Sequence, residues 1–309
     1  MDHADRDGVR IQVKKMAKSG RIRVGTCNWA DHQHFYPAGL PAGERLAHYA
    51  RFFPIVEVDT TFYGIPGPGV AEKWLQATPP SFRFNVKAYR SLTMHEREGG
   101  KPRPPTGEEE RDFLRFLEPM RESGKLTAVH YQFPPWFKGS ASNMDFVSRL
   151  TDRHPRDRVV VEFRHASWAE PERFESVIEL LAESGISYCC VDEPQVGSAT
   201  MPPHVVVTDP RLAVLRFHGH NRQKWYVKDA RSSTERFDYL YRQETLEEWV
   251  PRIRGLAGEA EEVHVLFNNN RSNYAVANGL QMARLLDLGL PSPDTVPAVI
   301  EPEQGKLAL

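Results

Sequence analysis

The stretch VVVEFRHASW, positions 159 to 168, combines an apolar run with two closely spaced charged side chains. Its three valines and one phenylalanine are typical of a strand that is buried on both faces. The run contains Glu162 and is followed by Arg164, and side chains two residues apart on a strand point to the same face. The two residues therefore form either a buried structural ion pair or part of a cavity in which a ligand binds.

Polar residues with this spacing recur at the carboxyl ends of the other apolar runs. We expect these side chains to share one face of their strands and to line a common interior: Thr26, Asn28, Glu57, Asp59, Asn85, Lys87, His130, Gln132, Glu162, Arg164, Asp192, Arg216, His218 and Asn268. Burying an unpaired charge is costly, so such a ring needs compensation. It indicates either a self-satisfied ion network that fixes strand register or a binding site.

Short apolar runs alternate with amphipathic stretches along the chain. We predict strands at 22–26, 55–59, 82–88, 127–133, 158–163, 187–192, 212–218 and 262–268, with helices between most of them and no clear helix in 193–210. This alternation indicates a parallel sheet, and eight repeats favour a closed barrel. The fold class is therefore α/β, a single (β/α)8 TIM-type barrel over 21–290, with a polar N-terminal extension (1–20) and a C-terminal tail (291–309).

The bulk composition excludes several classes of protein. The 309 residues carry 40 basic and 41 acidic side chains, so no global field attracts nucleic acid or membrane. Three cysteines without a CxxC pair indicate a reducing compartment, and the N-terminus lacks the apolar core of a secretory signal. No apolar run approaches the roughly 20 residues of a membrane span. We expect a cytoplasmic protein with no membrane partner, for which nucleic acid is possible but not favoured.

Several stretches resemble the domain of unknown function 72 family, the YecE-like proteins. They include VGTCNWADHQHFYPAGL, YQFPPWF, VVVEFRHASW, LRFHG and LFNNN, and they follow the family order over roughly residues 22 to 286. The resemblance implies a TIM-type barrel and no settled activity. Asp59 stands where the family usually has asparagine, which makes the site more acidic. Cys27 replaces the small residue that the family commonly has before the aromatic residue of the first strand.

The predicted barrel places two long loops, 89–110 and 219–244, on the C-terminal face, where barrel enzymes have their active sites. We expect an enzyme that acts by acid–base chemistry on an anionic small molecule, phosphorylated or carboxylated, or on a nucleotide. The candidate catalytic residues are Glu162, His218 and Asp192; the candidate substrate-binding residues are Lys87, Gln132, Arg164, Arg216, Asn268, Trp29, Tyr63 and Glu57. Trp29 and Tyr63 either wall a pocket or close the core.

Arg164 is expected to have two roles. Its planar guanidinium has five donors, so one edge can pair with a carboxylate while the outer nitrogens bind an anion.

Two other functions remain open. One is a non-catalytic protein that binds an anionic ligand or a nucleic-acid end through the basic, aromatic segment 216–242. The other is a metal-dependent isomerase or hydrolase with ligands from Glu57, Glu162, Asp192 and His218. Cations among these residues could neutralise the carboxylates, so we expect no complete metal-ligand set, and no cofactor is identified.

Overall fold

A computed structural model describes residues 19–225 and 235–291. Within them, eight strands form a closed barrel: β1 (Arg21–Cys27), β2 (Ile55–Val58), β3 (Arg83–Lys87), β4 (Leu126–Gln132), β5 (Val159–Glu162), β6 (Ile186–Asp192), β7 (Ala213–Phe217) and β8 (Glu262–Phe267). Each strand begins and ends within one residue of its predicted bounds. The predicted (β/α)8 barrel is confirmed.

The barrel closes in chain order. Every strand pairs in parallel with its neighbours along the sequence, and β1 pairs in parallel with β8 in a register that sets Val24 opposite Val265. All strand C-termini therefore meet at one end of the barrel, here called the mouth, and the barrel interior is called the lumen. Side chains alternate between the lumen and the surrounding helices along each strand.

The helices within the described residues surround this barrel. They are α1 (Arg45–Tyr49), α2 (Thr60–Tyr63), α3 (Val70–Gln76), α4 (Gly107–Glu122), α5 (Ala141–Ser148), α6 (Leu150–Arg153), α7 (Pro171–Glu183), α8 (Gln243–Glu259) and α9 (Tyr274–Leu285). As expected, the part of the chain between β6 and β7 is irregular. The helical stretch 141–153 is divided in two at Arg149. None of the described helices has the length and apolarity needed to cross a bilayer.

Local sequence explains where α4 begins. Thr106 accepts a hydrogen bond from the Glu109 amide while the Glu109 carboxylate accepts one from the Thr106 amide, a reciprocal capping box. The loop before α4 contains a small hairpin, in which Arg97–Glu98 pairs with Lys101–Pro102. Its two turn residues, Gly99 and Gly100, both have positive φ, as a tight hairpin turn requires. The capped helix and the hairpin position the long loop at the mouth.

Candidate functional site

The centre of the lumen is a buried ion network around Arg216. The Arg216 guanidinium, which has no exposed surface, donates from Nη1 to Glu162 Oε2 at 2.5 Å and from Nη2 to Glu57 Oε1 at 2.6 Å. These residues come from β7, β5 and β2, so the network crosses the lumen. Arg216 Nη1 also donates to Gln132 Oε1 at 3.2 Å. Of the two interpretations of the polar ring, an ion network or a binding site, the centre of the lumen corresponds to the ion network.

His130 completes this central layer. Its Nδ1 lies 2.6 Å from Glu57 Oε2, and its Nε2 lies 3.4 Å from Glu162 Oε2. Burial opposes a charge on His130, but Glu57 and Glu162 outweigh it and raise the pKa of the imidazole. Burial likewise opposes ionisation of Glu57 and Glu162, yet the neighbouring cations hold both of their pKa values below the usual range. The central layer is thus charged and internally compensated.

The predicted lumen position of Thr26 is wrong. Thr26 Oγ1 lies 3.0 Å from the hydroxyl of Tyr49 in α1, so this side chain faces the helices. Its neighbour Cys27 faces the lumen instead, with its Sγ 3.3 Å from Arg216 Nη2. Asn28 lies beyond the strand with φ of 64° and accepts from the Trp29 amide through its side chain. Asn28 therefore shapes a turn.

The predicted lumen position of Asp192 is also wrong, by one residue. Cys189 Sγ lies 3.7 Å from Glu162 Oε2, so alternation along β6 directs Glu193 inward and Asp192 outward. The Asp192 carboxylate instead lies 2.9 and 3.0 Å from Nε2 of His220. The sequence-based prediction included neither Glu193 nor His220. Two adjacent acids at the end of the strand do, however, indicate that either one could face the lumen.

Arg164 lies at the level of the mouth and is fully engaged. Its Nε lies 2.5 Å from Glu162 Oε1, its Nη1 2.6 Å from Glu193 Oε2, and its Nη2 3.0 Å from His218 Nε2. The expected carboxylate pairing is confirmed. The expectation that the outer nitrogens remain free is wrong, because both already have partners within the described residues.

This geometry determines the expected effect of an Arg164→Lys substitution. Lysine cannot reproduce the planar fork, so contacts to Glu193 or His218 are lost. We expect the free energy of unfolding, measured by urea denaturation, to fall by about 1 to 3 kcal/mol. Arg173→Lys is the control, since Arg173 pairs with Glu170 near the surface. A loss no greater than that of the control would contradict the structural role of Arg164.

His218 and Glu162, two of the predicted catalytic residues, lie beneath the mouth. His218 is fully buried, and burial together with Arg164 lowers its pKa to about 3. Its Nδ1 lies 2.9 Å from Nδ2 of Asn268. Glu162 is fully buried and paired with both arginines. Neutral His218 and ionised Glu162 therefore hold Arg164 and Arg216 in place.

Asp59 and Lys87 form the outer part of the site. Asp59 Oδ1 lies 4.0 Å from Lys87 Nζ and 3.8 Å from Arg216 Nη2, and this oxygen atom accepts no hydrogen bond from the described parts of the chain. Burial raises the pKa of Asp59 to about 6, with Lys87 acting in the opposite direction. The two side chains retain 18% and 12% of their exposure, respectively. Solvent can therefore reach this charged pair.

Glu193 is a second carboxyl with a shifted pKa. Burial raises its pKa to about 7, although Arg164 lowers it. Its oxygens are already engaged, Oε1 by the Met201 amide at 2.7 Å and Oε2 by Arg164. Glu193 therefore helps to hold the Arg164 side chain in place, and its carboxyl is less accessible to a ligand than that of Asp59.

The two aromatic candidates behave differently. Trp29 is buried and packs edge-on against Trp74, with ring centroids 5.1 Å apart, so it closes the core. Tyr63 is 67% exposed at the start of the mouth loops. The basic segment 216–242 is described only in part, because 226–234 lies outside the described residues.

Among the residues that the structure describes, two groups of possible metal ligands lie in the lumen. Cys27, Glu57 and Asp59 form one, and His130, Glu162 and Cys189 form the other. The Arg216 guanidinium bonds to Glu57 of the first group and to Glu162 of the second. A divalent ion in either group would have to displace this guanidinium from its carboxylate.

Comparison with known proteins gives consistent matches over most of the chain. Residues 23–300 match the family model described as "Protein of unknown function DUF72". The UPF0759 protein YunF of Bacillus subtilis (strain 168) is 36% identical over 269 residues, covering 86% of this chain and 95% of that protein. A DUF72 family crystal structure from Enterococcus faecalis V583 has a TM-score of 0.78 at 31% identity, covering 87% of this chain and 97% of that one. One from Thermotoga maritima MSB8 has a TM-score of 0.73 at 32% identity, covering 86% and 99%.

Proposed function

The chain belongs to the DUF72 family, whose description states no activity, so we propose a function from the chemistry of the mouth. We propose an enzyme that transfers a proton to or from an anionic small molecule, phosphorylated or carboxylated. The observation that carries the proposal is the pair of Asp59 and Lys87, a carboxyl with a pKa of about 6 beside a loosely paired cation.

Lys87 is the cation that best fits the role of anion holder. Arg216 and Arg164 bond to carboxylates at 2.5 to 2.6 Å, whereas Lys87 Nζ has its closest carboxylate oxygen, Asp59 Oδ1, at 4.0 Å. A lysine ammonium is a compact charge with three donors on a flexible stem. It can therefore turn toward a phosphate or carboxylate without breaking a short ion pair, and the arginines behind it add positive potential.

Asp59 is the group that best fits proton transfer. A general acid or base works best when its pKa lies near the working pH, and a pKa of about 6 meets that condition. When protonated, Asp59 hydrogen-bonds to Glu57, which lowers the chance that both carboxyls ionise together. Glu57 itself is kept ionised by Arg216 and His130, so the two neighbouring carboxyls have separate tasks.

The proposal is tested first by binding. We expect Lys87→Met to weaken calorimetric binding of inorganic phosphate by about tenfold, because one charge-assisted contact is lost. Lys73→Met, which removes an exposed ammonium from α3, should leave the affinity unchanged. Equal affinity in the Lys87→Met variant and the wild type would refute the anion site.

Turnover is tested second. Phosphorylated and carboxylated small molecules are incubated with the wild type and with Asp59→Asn, and consumption or hydrogen exchange is followed by NMR. We expect conversion by the wild type that Asp59→Asn loses. Binding without conversion in either protein would favour the second candidate, a non-catalytic anion-binding protein, for which Lys87 alone is sufficient.

A further inference from the structure

A row of four aromatic rings runs along the mouth beside Lys87. Tyr63 contacts Phe62 with centroids 5.2 Å apart, Phe62 contacts His95 at 4.7 Å, and His95 contacts Trp136 at 5.8 Å. We call these four residues the aromatic row. They come from α2 and from the segments that follow β3 and β4, so separate parts of the chain meet here.

Both ends of the aromatic row are exposed. Tyr63 is 67% exposed and Trp136 is 42% exposed, and these are the large hydrophobic side chains that are exposed in the described part of the chain. Exposed apolar surface next to polar groups often marks a binding site. The exposure of both rings at one end of the barrel therefore favours a ligand with an apolar part.

The aromatic row is fixed in place and lies beside positive charge. Lys87 Nζ lies 4.7 Å from the Phe62 ring centroid, and the Arg97 guanidinium lies 5.1 Å from the Trp136 ring centroid. The Trp136 indole N–H donates to the Met94 carbonyl at 3.2 Å, which limits rotation of the ring. A preformed apolar wall thus stands next to the cation of the anion site.

His95 keeps the middle of the row uncharged. Its Nδ1 lies 2.8 Å from Thr93 Oγ1, and burial, followed by the repulsion of Lys87, lowers its pKa to about 3. A neutral imidazole between Phe62 and Trp136 continues the apolar wall. The same repulsion indicates that the cations of the mouth lie close to the row.

We propose that the ligand of this site carries a flat aromatic ring joined to its anionic group, as an aryl phosphate or aryl carboxylate does. The anionic group binds Lys87 while the ring packs against the aromatic row, whose exposed rings are Tyr63 and Trp136. The inference rests on the proposed anion site and names its substrate class. Aromatic pairs gain affinity beyond the area that they bury, which favours a flat ring over a saturated one.

The test compares three probes of equal charge by calorimetry: methyl phosphate, cyclohexyl phosphate and phenyl phosphate. We expect the wild type to bind phenyl phosphate about tenfold more tightly than methyl phosphate, and more tightly than cyclohexyl phosphate. In Trp136→Leu this preference for phenyl phosphate should fall severalfold, whereas Trp136→Phe keeps a ring and should retain most of it. Tyr63→Leu should also reduce the preference, and thermal unfolding checks that each variant is folded.

The outcomes separate this inference from the proposed function. If methyl phosphate binds as tightly as phenyl phosphate, the ring proposal is overturned and the anion site stands. A phenyl preference that survives in both leucine variants, or a cyclohexyl probe that binds as well as the phenyl one, overturns the stacking role of the aromatic row. If no probe binds, the proposed anion site fails and this inference fails with it.

Discussion

Arg216→Met is expected to lower the free energy of unfolding by about 3 to 5 kcal/mol, the largest effect of any substitution proposed for this chain. Methionine fills a similar volume but leaves Glu57 and Glu162 buried without the guanidinium that bonds to both. Glu57 then retains His130, and Glu162 retains His130 and Arg164, so both carboxylates lose part of their compensation and either stay charged at a higher cost or take up protons. The measurement is urea denaturation near neutral pH.

Two further variants make this expectation specific. Arg115→Met removes a guanidinium that is 74% exposed and pairs with Asp112, so its effect should stay below about 0.5 kcal/mol. Adding Glu57→Gln and Glu162→Gln to Arg216→Met should restore part of the lost stability, since the buried charges are removed together. If Arg216→Met is no worse than Arg115→Met, the ion network does not stabilise the barrel.

Asp59→Asn is expected to stabilise the protein at about pH 8 and to change little at about pH 4. The pKa of folded Asp59 is raised from 3.8 to about 6, so the folded protein binds more protons than the unfolded chain between these values. Stability therefore falls as pH rises through this window, and the penalty is fully present above it. Asparagine removes a penalty of roughly 2 to 3 kcal/mol while retaining a donor toward Glu57.

The control for this pH effect is Asp152→Asn, which neutralises an exposed carboxylate in α6. Its effect should be small at both pH values. The fold should tolerate Asp59→Asn, because asparagine has nearly the same size and shape as aspartate. An Asp59→Asn effect of equal size at both pH values would show that Asp59 is not held with a raised pKa.

The barrel could be predicted from sequence because its signals are additive. Eight apolar runs that are separated by amphipathic stretches leave few other ways to bury both faces of each strand. The sequence predicts less well which face of its strand a single residue occupies. Thr26 is polar, but its hydroxyl is satisfied by Tyr49 on the helix side, so polarity alone assigned it to the wrong face.

The end of β6 shows the same difficulty. Asp192 and Glu193 are adjacent acids, and nothing in the sequence indicates which one follows the lumen face of the strand. In the structure, the contact of Cys189 with Glu162 and the pairing of Val191 with Arg216 show which face each residue occupies. The shift of one residue places Glu193 on Arg164 and Asp192 on His220.

Long-range contacts explain the rest of what the sequence did not reveal. Lys87 was expected at the mouth because it ends a strand, but its loose pairing depends on how Asp59 and the arginines share their charges. His95 and Trp136 lie in different segments, and no spacing rule brings them together. The aromatic row therefore became visible only in the fold.

Sulfate binding, measured by calorimetry at about pH 5 and about pH 8, tests most directly whether Asp59 and Lys87 form one acid–base anion site. Sulfate stays a dianion over this range, whereas Asp59 ionises within it and then competes for Lys87, 4.0 Å away. We expect the wild-type affinity to fall as pH rises, with an affinity ratio between the two pH values about tenfold larger than in Asp59→Asn. The same ratio in both proteins, or no binding at either pH, would contradict the account.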